Sequence, residues 1–345
     1  MTTSLPKYDA ARSYDWNFDH APEVAKIDVP AVSGSWTFCG LPVESPLGVP
    51  AGPLLNGQWI LYYASLGFDV LTYKTVRSSA RECFPLPNLL PVETGPLAES
   101  RTELPVSNTM QGSWAVSFGM PSKSPEWWRR DIEATRAALP RGKVLSVSVV
   151  STVQPDWSLD QLADDYAKCA RWALESGADC IETNFSCPNV STCDGQLYQN
   201  PESARVVAER VREATGRVPY IIKIGHLTDR EEAGRLLDSV APFATALAMT
   251  NSVAARVRGS DGELYFDGQP RGICGEATRE ASIAQTRMFA ELIAARGLST
   301  KLVGVGGVRT AADVREYLAA GAESVQIATA AMIDPLVAVR IRDEF

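Results

Sequence analysis

The sequence predicts an α/β fold, and more narrowly a (β/α)8 TIM barrel, on three observations. A short apolar strand, a loop and an amphipathic helix recur as one unit along most of the chain. The strands are rich in Val, Ile and Leu and do not alternate with polar residues, which is typical of strands covered on both faces. Several helices end in glycine, as at Gly177 and Gly321, a common helix C-terminal signal. Eight such strands separated by helices favour a closed barrel.

The individual elements follow from the apolar periodicity. Strands are predicted at 47–52, 69–74, 144–150, 180–186, 220–225, 246–252, 302–307 and 324–330. Helices are predicted at 58–65, 125–138, 158–175, 201–215, 229–238, 279–295 and 311–320. An open doubly wound sheet is the alternative, but no Gly-x-Gly-x-x-Gly follows the first strand. No linker divides the chain, so one barrel domain is expected at 34–345.

Three kinds of segment fall outside the repeating unit. Residues 1–33 have no clear period and are expected to form an N-terminal extension that wraps the body or meets another subunit. Two short runs, 35–39 and 41–44, flank a glycine and predict a small hairpin. The connections 77–123 and 253–276 are too long for plain turns, and long loops in a compact barrel usually serve as lids or binding loops.

Composition excludes several classes of partner. The 345 residues carry a net charge of −8 with a pI near 5.0, so nucleic acid and anionic membrane are not expected partners. No run approaches the ~18 apolar residues of a membrane span, and the first residues have no apolar signal core, so a cytoplasmic protein is expected. Seven scattered cysteines without a Cys-x-x-Cys pair fit free thiols and predict no metal site. With only two histidines, acid–base chemistry falls to Cys, Lys or carboxylates.

Polar side chains gather where predicted strands end. Asn184, Cys187 and Asn189 follow one apolar strand, and Asn251 and Ser252 close another. Because barrel enzymes bind ligands at the carboxyl ends of their strands, these groups are expected to face one site. The amides can both donate and accept hydrogen bonds, which suits a flat polar ring. Cys187 can serve there as a nucleophile or a general base; the alternative is a buried thiol beside a turn.

A second group of residues indicates an anion site. Lys74 and Lys223 end predicted strands, where a buried ammonium needs an anion or a salt bridge. Because they face the same mouth as the asparagines, they indicate an electron-accepting ring such as a flavin, whose N1/C2=O region gains negative charge on reduction. Gly306 and Gly307 end a strand where TIM barrels often bind phosphate, and Gly275 closes the preceding unit. Tight packing is the alternative explanation for these glycines.

Together these motifs resemble the dihydroorotate dehydrogenase family of FMN barrels, which includes the flavin domain of dihydropyrimidine dehydrogenase. Residues 184–189, Asn-Phe-Ser-Cys-Pro-Asn, are similar to the family's Asn-x-Ser-Cys-Pro-Asn, and the lysine-ending strand, the Asn-Ser strand end and the Gly-Gly loop follow in order. The resemblance covers about residues 34–340. It implies FMN as cofactor, dihydroorotate oxidised to orotate, and a homodimer. The electron acceptor stays open among fumarate, a quinone, oxygen and a partner electron-transfer subunit.

The resemblance also implies roles for individual residues. Cys187, the base in the soluble class 1 enzymes, would take a proton from C5 of the dihydropyrimidine while hydride leaves C6 for flavin N5. Lys74 would contact flavin and substrate, and Lys223 would sit beside the flavin N1/C2=O region. Substrate contacts would come from Lys74, Gly119, Met120, Asn184, Asn189, Asn251 and Ser252. The FMN would be lined by Ala51, Gly52, Lys74, Asn184, Lys223, Asn251, Gly275, Gly306, Gly307, Ala328 and Thr329.

Two features leave alternatives. The family's Asn-Ser-Met-Gly-Leu-Pro-Asn loop is Val-Ser-Phe-Gly-Met-Pro-Ser at residues 116–122, and Val116 cannot make the hydrogen bonds of the first Asn. Because an unpaired buried polar group costs about 1–3 kcal/mol, another dihydropyrimidine or a cyclic amide is an alternative substrate. Cys193 is a rival base, since dihydropyrimidine dehydrogenases use a cysteine in a loop after this strand.

A third hypothesis is a barrel that kept a phosphate site but lost redox chemistry. The presence of Cys187 and the two lysines opposes it.

Overall fold

The computed structural model describes residues 5–97, 102–186 and 193–345, without the side chains of 193–195. Within these ranges the strands are, in chain order, β1 (Trp36–Phe38), β2 (Leu41–Val43), β3 (Leu47–Val49), β4 (Val70–Val76), β5 (Leu89–Val92), β6 (Glu103–Pro105), β7 (Ser113–Val116), β8 (Val144–Val149), β9 (Cys180–Asn184), β10 (Tyr220–Lys223), β11 (Ala246–Met249), β12 (Val253–Arg258), β13 (Arg271–Gly275), β14 (Lys301–Val305) and β15 (Ser324–Gln326). The α-helices are α1 (Tyr14–Asp19), α2 (Gly57–Ser65), α3 (Pro125–Ala138), α4 (Leu159–Glu175), α5 (Pro201–Thr215), α6 (Arg230–Val240), α7 (Arg279–Ala295), α8 (Ala311–Ala319), α9 (Thr329–Ile333) and α10 (Val337–Glu344).

Eight parallel strands close into a barrel. Their order around the barrel is β3, β4, β8, β9, β10, β11, β14 and β15, and β15 pairs back onto β3. One helix follows each strand before the next barrel strand begins, from α2 through α8. The predicted (β/α)8 barrel is confirmed, and the open doubly wound sheet is wrong.

Six of the ten described α-helices begin at a residue whose side chain accepts a backbone N–H of the first turn. Ser158 and Gln161 form a capping box at the start of α4, and the Asp229 carboxylate accepts two backbone N–H groups at the start of α6. Residues 158 and 229 were predicted as helical and are instead N-caps. The predicted helices otherwise match the observed ones to within one or two residues.

The predicted strands extend too far at their carboxyl ends. Strands predicted to residues 52, 186 and 252 end at Val49, Asn184 and Met249. The strand predicted at 324–330 ends at Gln326, and Thr329 already begins α9. After β3, β11, β14 and β15, residues beyond the strand line the mouth of the barrel, among them Gly52, Asn251, Gly306 and Ala328. Only β4 runs further than predicted, to Val76, with an irregularity in its pairing to β8 after Tyr73.

The barrel interior changes from apolar to polar along the strands. At the amino ends, inward side chains such as Val70 and Val144 pack with Phe38 of the β1–β2 hairpin, which closes this end. Two residues further along, Thr72 and Ser146 are buried. Because side chains alternate across a strand, the same inward face next meets the mouth. The fold therefore delivers polar groups to one open end.

The two long connections do not remain plain loops. They contribute a five-stranded sheet in the order β5, β7, β13, β12, β6, with β7 antiparallel to both β5 and β13. The glycine-rich run at 112–121, within the predicted connection 77–123, contains strand β7. Sequence patterning missed this sheet because its strands have only three to six residues and lie far apart in the chain.

The N-terminal residues contain one helix, α1, that sequence analysis did not predict. The Ser13 hydroxyl accepts from the backbone N–H of Trp16 and caps this helix. Tyr8, Tyr14 and Phe18 are buried in the same hydrophobic core as the barrel helices. The described part of the N-terminal segment therefore packs against the barrel.

Candidate active site

The carboxyl ends of the barrel strands and the five-stranded sheet enclose a cavity of about 650 Å³. This volume is typical of a small-molecule site. The cavity brings together these residues predicted from sequence: Ala51, Gly52, Lys74, Gly119, Met120, Asn184, Lys223, Asn251, Ser252, Gly275, Gly306, Gly307, Ala328 and Thr329. Cys187 and Asn189 lie outside the described residues, as does the side chain of the rival base Cys193.

One part of the cavity is lined by amides fixed to the backbone. The Asn184 Oδ1 accepts from the backbone N–H of Ser186 at 3.1 Å, and its Nδ2 lies 3.6 Å from Met120 Sδ. The Asn251 amide donates to the Ser186 carbonyl, and its backbone N–H donates to Ile224 O at 3.1 Å. Both asparagines are therefore held in one orientation at the strand ends.

Lys74 enters the cavity from β4 against an aromatic wall. Its ammonium donates to Gly52 O at 3.4 Å and lies 4.7 Å from the centroid of the Phe118 ring. Tyr14 and Tyr8 meet that ring edge-on, at centroid distances of 6.1 and 6.2 Å. Such cation–π and edge-to-face contacts hold a side chain at a defined position. Residues of the N-terminal segment thus pack against the Phe118 ring and help to position Lys74. The sequence gave no signal of this role.

Lys223 enters the cavity from β10 above a buried carboxylate. Its ammonium lies 3.9 Å from Glu182 Oε1, and both side chains are more than nine-tenths buried. Burial raises the pKa of Glu182, while the charge of Lys223 and a hydrogen bond with Ser148 oppose that rise. Sequence analysis assigned no role to Glu182, although it stands two residues before Asn184 on the inward face of β9.

The opposite part of the cavity is glycine-rich backbone. Gly275, Gly306 and Gly307 have φ values of 97°, 139° and 67°, which residues with a Cβ rarely adopt. A Cβ on Gly307 would lie 2.6 Å from Arg279 Cβ, at the start of α7. Close packing is therefore one reason for these glycines, and exposed backbone at the cavity surface is the other. The Thr329 hydroxyl lies 3.3 Å from Cys274 Sγ at this end.

Residues 116–122 form the remaining wall. Gly119 and Met120 both have positive φ, and the buried Arg77 guanidinium donates from Nε to Met120 O at 3.2 Å. Val116 ends β7 beside Gly272 and lines the cavity. Its side chain offers no hydrogen bond at this position, as the sequence indicated.

Gln326, which sequence analysis also missed, contributes an unsatisfied polar atom. Its Nε2 donates to the Thr72 hydroxyl at 3.1 Å, whereas its buried Oε1 has no hydrogen-bond partner among the described residues. Buried polar atoms are rarely left unpaired, so this acceptor indicates a hydrogen-bond donor supplied by a ligand or by water. Gln326 is the last residue of β15, four residues before the end predicted from the sequence, so the pattern placed it inside the strand and not at the mouth.

Two kinds of feature are absent from residues 5–97, 102–186 and 193–345. No helix there is long and apolar enough to cross a membrane. The same residues hold no group of three or more His, Cys, Asp or Glu side chains placed to bind a metal ion.

The fold and this site define an α/β-barrel enzyme with a lysine- and amide-lined mouth. Residues 34–345 match a family model described as dihydroorotate dehydrogenase. The chain belongs to the dihydroorotate dehydrogenase family, and it is an oxidoreductase acting on CH–CH donors.

Individual relatives agree with this membership. The chain is 30% identical to a dihydroorotate dehydrogenase of Dictyostelium discoideum over 97% of this chain and 96% of that protein. It is 32% identical to a dihydroorotate dehydrogenase (quinone) of Arthrobacter sp. over 92% of this chain and 86% of the relative. A crystal structure of DHODH in complex with ferulenol from Eimeria tenella has a TM-score of 0.73 at 18% identity, covering 90% of this chain and 82% of that one. At this identity the structural likeness bears on the fold alone.

Proposed function

We propose that this chain is an FMN-dependent enzyme that oxidises dihydroorotate to orotate. The observation that carries the proposal is a single cavity with a glycine-rich backbone end and an end lined by Lys74, Asn184, Lys223 and Asn251. The first suits a phosphate and the second suits a polar ring that accepts electrons. Family membership supports the same chemistry.

The residues present fit FMN in size and in chemistry. A Cβ on Gly52, which lines the cavity, would meet nothing within 4 Å, so there is open space above this strand end. The unpartnered Gln326 Oε1 offers an acceptor to an N–H donor. Gly275, Gly306, Gly307, Ala328 and Thr329 would hold the phosphate end, with Ala51 and Gly52 beside it. Lys223 would face the region of the flavin that gains negative charge. When bound, FMN supplies the acceptor for the hydride that leaves C6 of the substrate.

The chain's own side chains would orient the substrate and move its proton. The amides of Asn184 and Asn251, the hydroxyl of Ser252 and the ammonium of Lys74 would hold the pyrimidine carbonyls and carboxylate. Asn189, proposed from the sequence motif alone, would add a further amide. Cys187 would accept the proton from C5, the role implied by the family motif. A thiol needs a neighbouring positive charge or a good hydrogen-bond donor to act as a base near neutral pH.

A second substrate is favoured by one specific observation. Val116 stands in the cavity wall where the family loop carries Asn, and its side chain cannot hydrogen-bond a ring. The substrate would then be another dihydropyrimidine or a cyclic amide that needs no hydrogen bond at this position, in place of dihydroorotate. The FMN site and the proton-transfer residues would be unchanged.

We further propose a homodimer that passes electrons from FMN to an external acceptor in the cytoplasm. Five described cysteines are free, which fits a reducing compartment. One relative, from Desulforudis audaxviator, is named dihydroorotate dehydrogenase B (NAD(+)), catalytic subunit, and the Arthrobacter relative is named a quinone enzyme. A small-molecule acceptor and a partner electron-transfer subunit are therefore both to be tested.

Steady-state turnover tests the proposal. The FMN-loaded protein is supplied with an artificial electron acceptor and either L-dihydroorotate or dihydrouracil, and the unsaturated product is followed by its ultraviolet absorbance. Production of orotate at the higher kcat/KM supports the main proposal, whereas preference for dihydrouracil supports the alternative. A protein that retains no FMN and oxidises neither compound would contradict both.

A further inference from the structure

Glu182 is a carboxylate buried beneath the mouth of the barrel. It is 1% exposed and lies on the inward face of β9, two residues before Asn184. It does not line the cavity itself, so it does not meet a ligand there. Its only ion pair among the described residues is with Lys223, which does line the cavity.

The contact between the two groups is an electrostatic one without a direct hydrogen bond. The distance of 3.9 Å from Lys223 Nζ to Glu182 Oε1 exceeds hydrogen-bond length, and Glu182 Oε1 has no hydrogen-bond partner in the described part of the chain. At this distance, in a site shielded from water, the two charges still interact strongly. Lys223 therefore keeps its N–H donors for the cavity while its charge is balanced from below.

We propose that Glu182 sets the reduction potential of the bound flavin by neutralising Lys223 from inside the barrel. This inference rests on the proposed FMN site. Without Glu182, the Lys223 ammonium would favour the reduced flavin more strongly, because reduction adds negative charge to the ring. When Glu182 is ionised, the net charge of the pair is zero, and the flavin is held at a lower potential.

The inference makes opposite predictions for the two partners. Glu182→Gln keeps the shape of the side chain but leaves a net positive charge below the flavin, so the midpoint potential rises. Lys223→Gln removes the positive charge that lines the cavity, so the midpoint potential falls. The double variant restores a net charge of zero and returns toward the wild-type value. Packing defects alone would not give shifts of opposite sign that cancel.

The test is an anaerobic redox titration of each FMN-loaded variant against reference dyes. We expect each single variant to change the equilibrium of flavin reduction by about tenfold or more, or about 30 mV for a two-electron couple. The matched control is Asp131→Asn, which removes a part-buried carboxylate outside the cavity, bonded to the Tyr73 hydroxyl and the Gly57 N–H. This control should leave the potential unchanged.

Two outcomes would overturn the inference: equal shifts of the same sign in both single variants, or no shift in either. If Glu182→Gln does not fold, Glu182→Asp moves the charge away from Lys223 and should raise the potential by a smaller amount; an unchanged potential in that variant would also overturn it. Failure of the proposed function is separate, because a wild-type protein that binds no FMN fails before any potential can be measured.

Discussion

The two ends of the barrel both bury a carboxylate beside a lysine, but they do so differently. At the closed end, Asp69 is fully buried and contacts Ser45, Lys143 and Arg342, the last at 3.1 Å. The Arg342 guanidinium also donates to Gly67 O at 3.0 Å and Pro30 O at 2.6 Å. Glu44 lies 3.7 Å from both Lys143 and Arg342, so two carboxylates balance two cations, and the hydrogen bonds of this cluster are made within the chain.

At the open end, the corresponding carboxylate and lysine are not joined by a hydrogen bond. Glu182 and Lys223 are 3.9 Å apart, and Glu182 Oε1 lacks a hydrogen-bond partner among the described residues. Gln326 Oε1 is likewise unpaired near the cavity. A buried polar group left unpaired lowers the free energy of unfolding. These two oxygen atoms therefore make the open end less stable than it would be if both were hydrogen-bonded. The closed end therefore serves the fold, while the open end keeps hydrogen-bonding capacity for a ligand.

The largest effect is expected from Cys187, which the sequence motif alone proposes as the base. Cys187→Ser should slow the reduction of bound flavin by substrate by about 10²–10⁴-fold, because serine is a far poorer base near neutral pH. FMN content and thermal stability should stay near wild type. Anaerobic stopped-flow absorbance measures the rate.

Cys193→Ser is the matched control for that experiment. It should leave the rate of flavin reduction within a few-fold of wild type. If Cys193→Ser is slow and Cys187→Ser is normal, the base is Cys193 and the assignment must be reversed.

The complementary change at the closed end is Asp69→Asn. It removes the buried carboxylate that Lys143 and Arg342 share and leaves them only the exposed Glu44 at 3.7 Å, and breaking a buried pair in this way costs about 3–5 kcal/mol. Urea denaturation should give a correspondingly lower free energy of unfolding, while the folded fraction keeps the wild-type flavin potential. A normal stability with an altered potential would show that the two ends do not differ as described.

This division of the barrel was only partly predictable from sequence. The repeating strand–helix unit predicted the fold, and the two lysines and the asparagines predicted the polar mouth. Both were predictable because buried strands and polar strand ends leave local patterns in the sequence. Glu182 was visible beside Asn184, but its pairing with Lys223 depends on the register between β9 and β10. The approach of Tyr8 and Tyr14 to Phe118 and the five-stranded sheet depend on contacts between segments far apart in sequence, which no local pattern encodes.

A third prediction concerns the cavity wall. Val116→Asn should restore a hydrogen bond to dihydroorotate that is worth about 1–3 kcal/mol, so the KM for dihydroorotate should fall by roughly 5- to 150-fold. Val116→Leu, which adds volume without a polar group, is the control and should not lower the KM. An unchanged KM in the Asn variant would mean that the substrate does not use this position.

A fourth prediction concerns the aromatic wall behind Lys74. Phe118→Leu removes the ring that lies 4.7 Å from the ammonium, a contact worth about 0.5–2 kcal/mol. The KM for substrate should rise by a few-fold. Tyr14→Phe retains its ring and should be nearly neutral; an equal loss in that variant would point to the tyrosine hydroxyl and away from the cation–π contact.

The smallest expected effect is on the pH dependence of stability. Burial raises the pKa of Glu182, so the folded state holds its proton to higher pH than the unfolded state. At pH values below the usual carboxyl pKa range, Glu182 is protonated in both the folded and the unfolded state and does not lower the free energy of unfolding. As pH rises from that range through the raised pKa, the wild type should lose stability relative to Glu182→Gln. Parallel stability curves for the two proteins from pH 4 to 8 would contradict this sign.

The most direct test of the polar mouth as a flavin dehydrogenase site is an anaerobic titration of the purified protein with L-dihydroorotate, followed by flavin absorbance. We predict a yellow protein whose flavin band bleaches as dihydroorotate is added. A flavin that dihydroorotate leaves oxidised would contradict the substrate assignment and favour another dihydropyrimidine. A colourless protein that cannot be reconstituted with FMN would contradict the central claim.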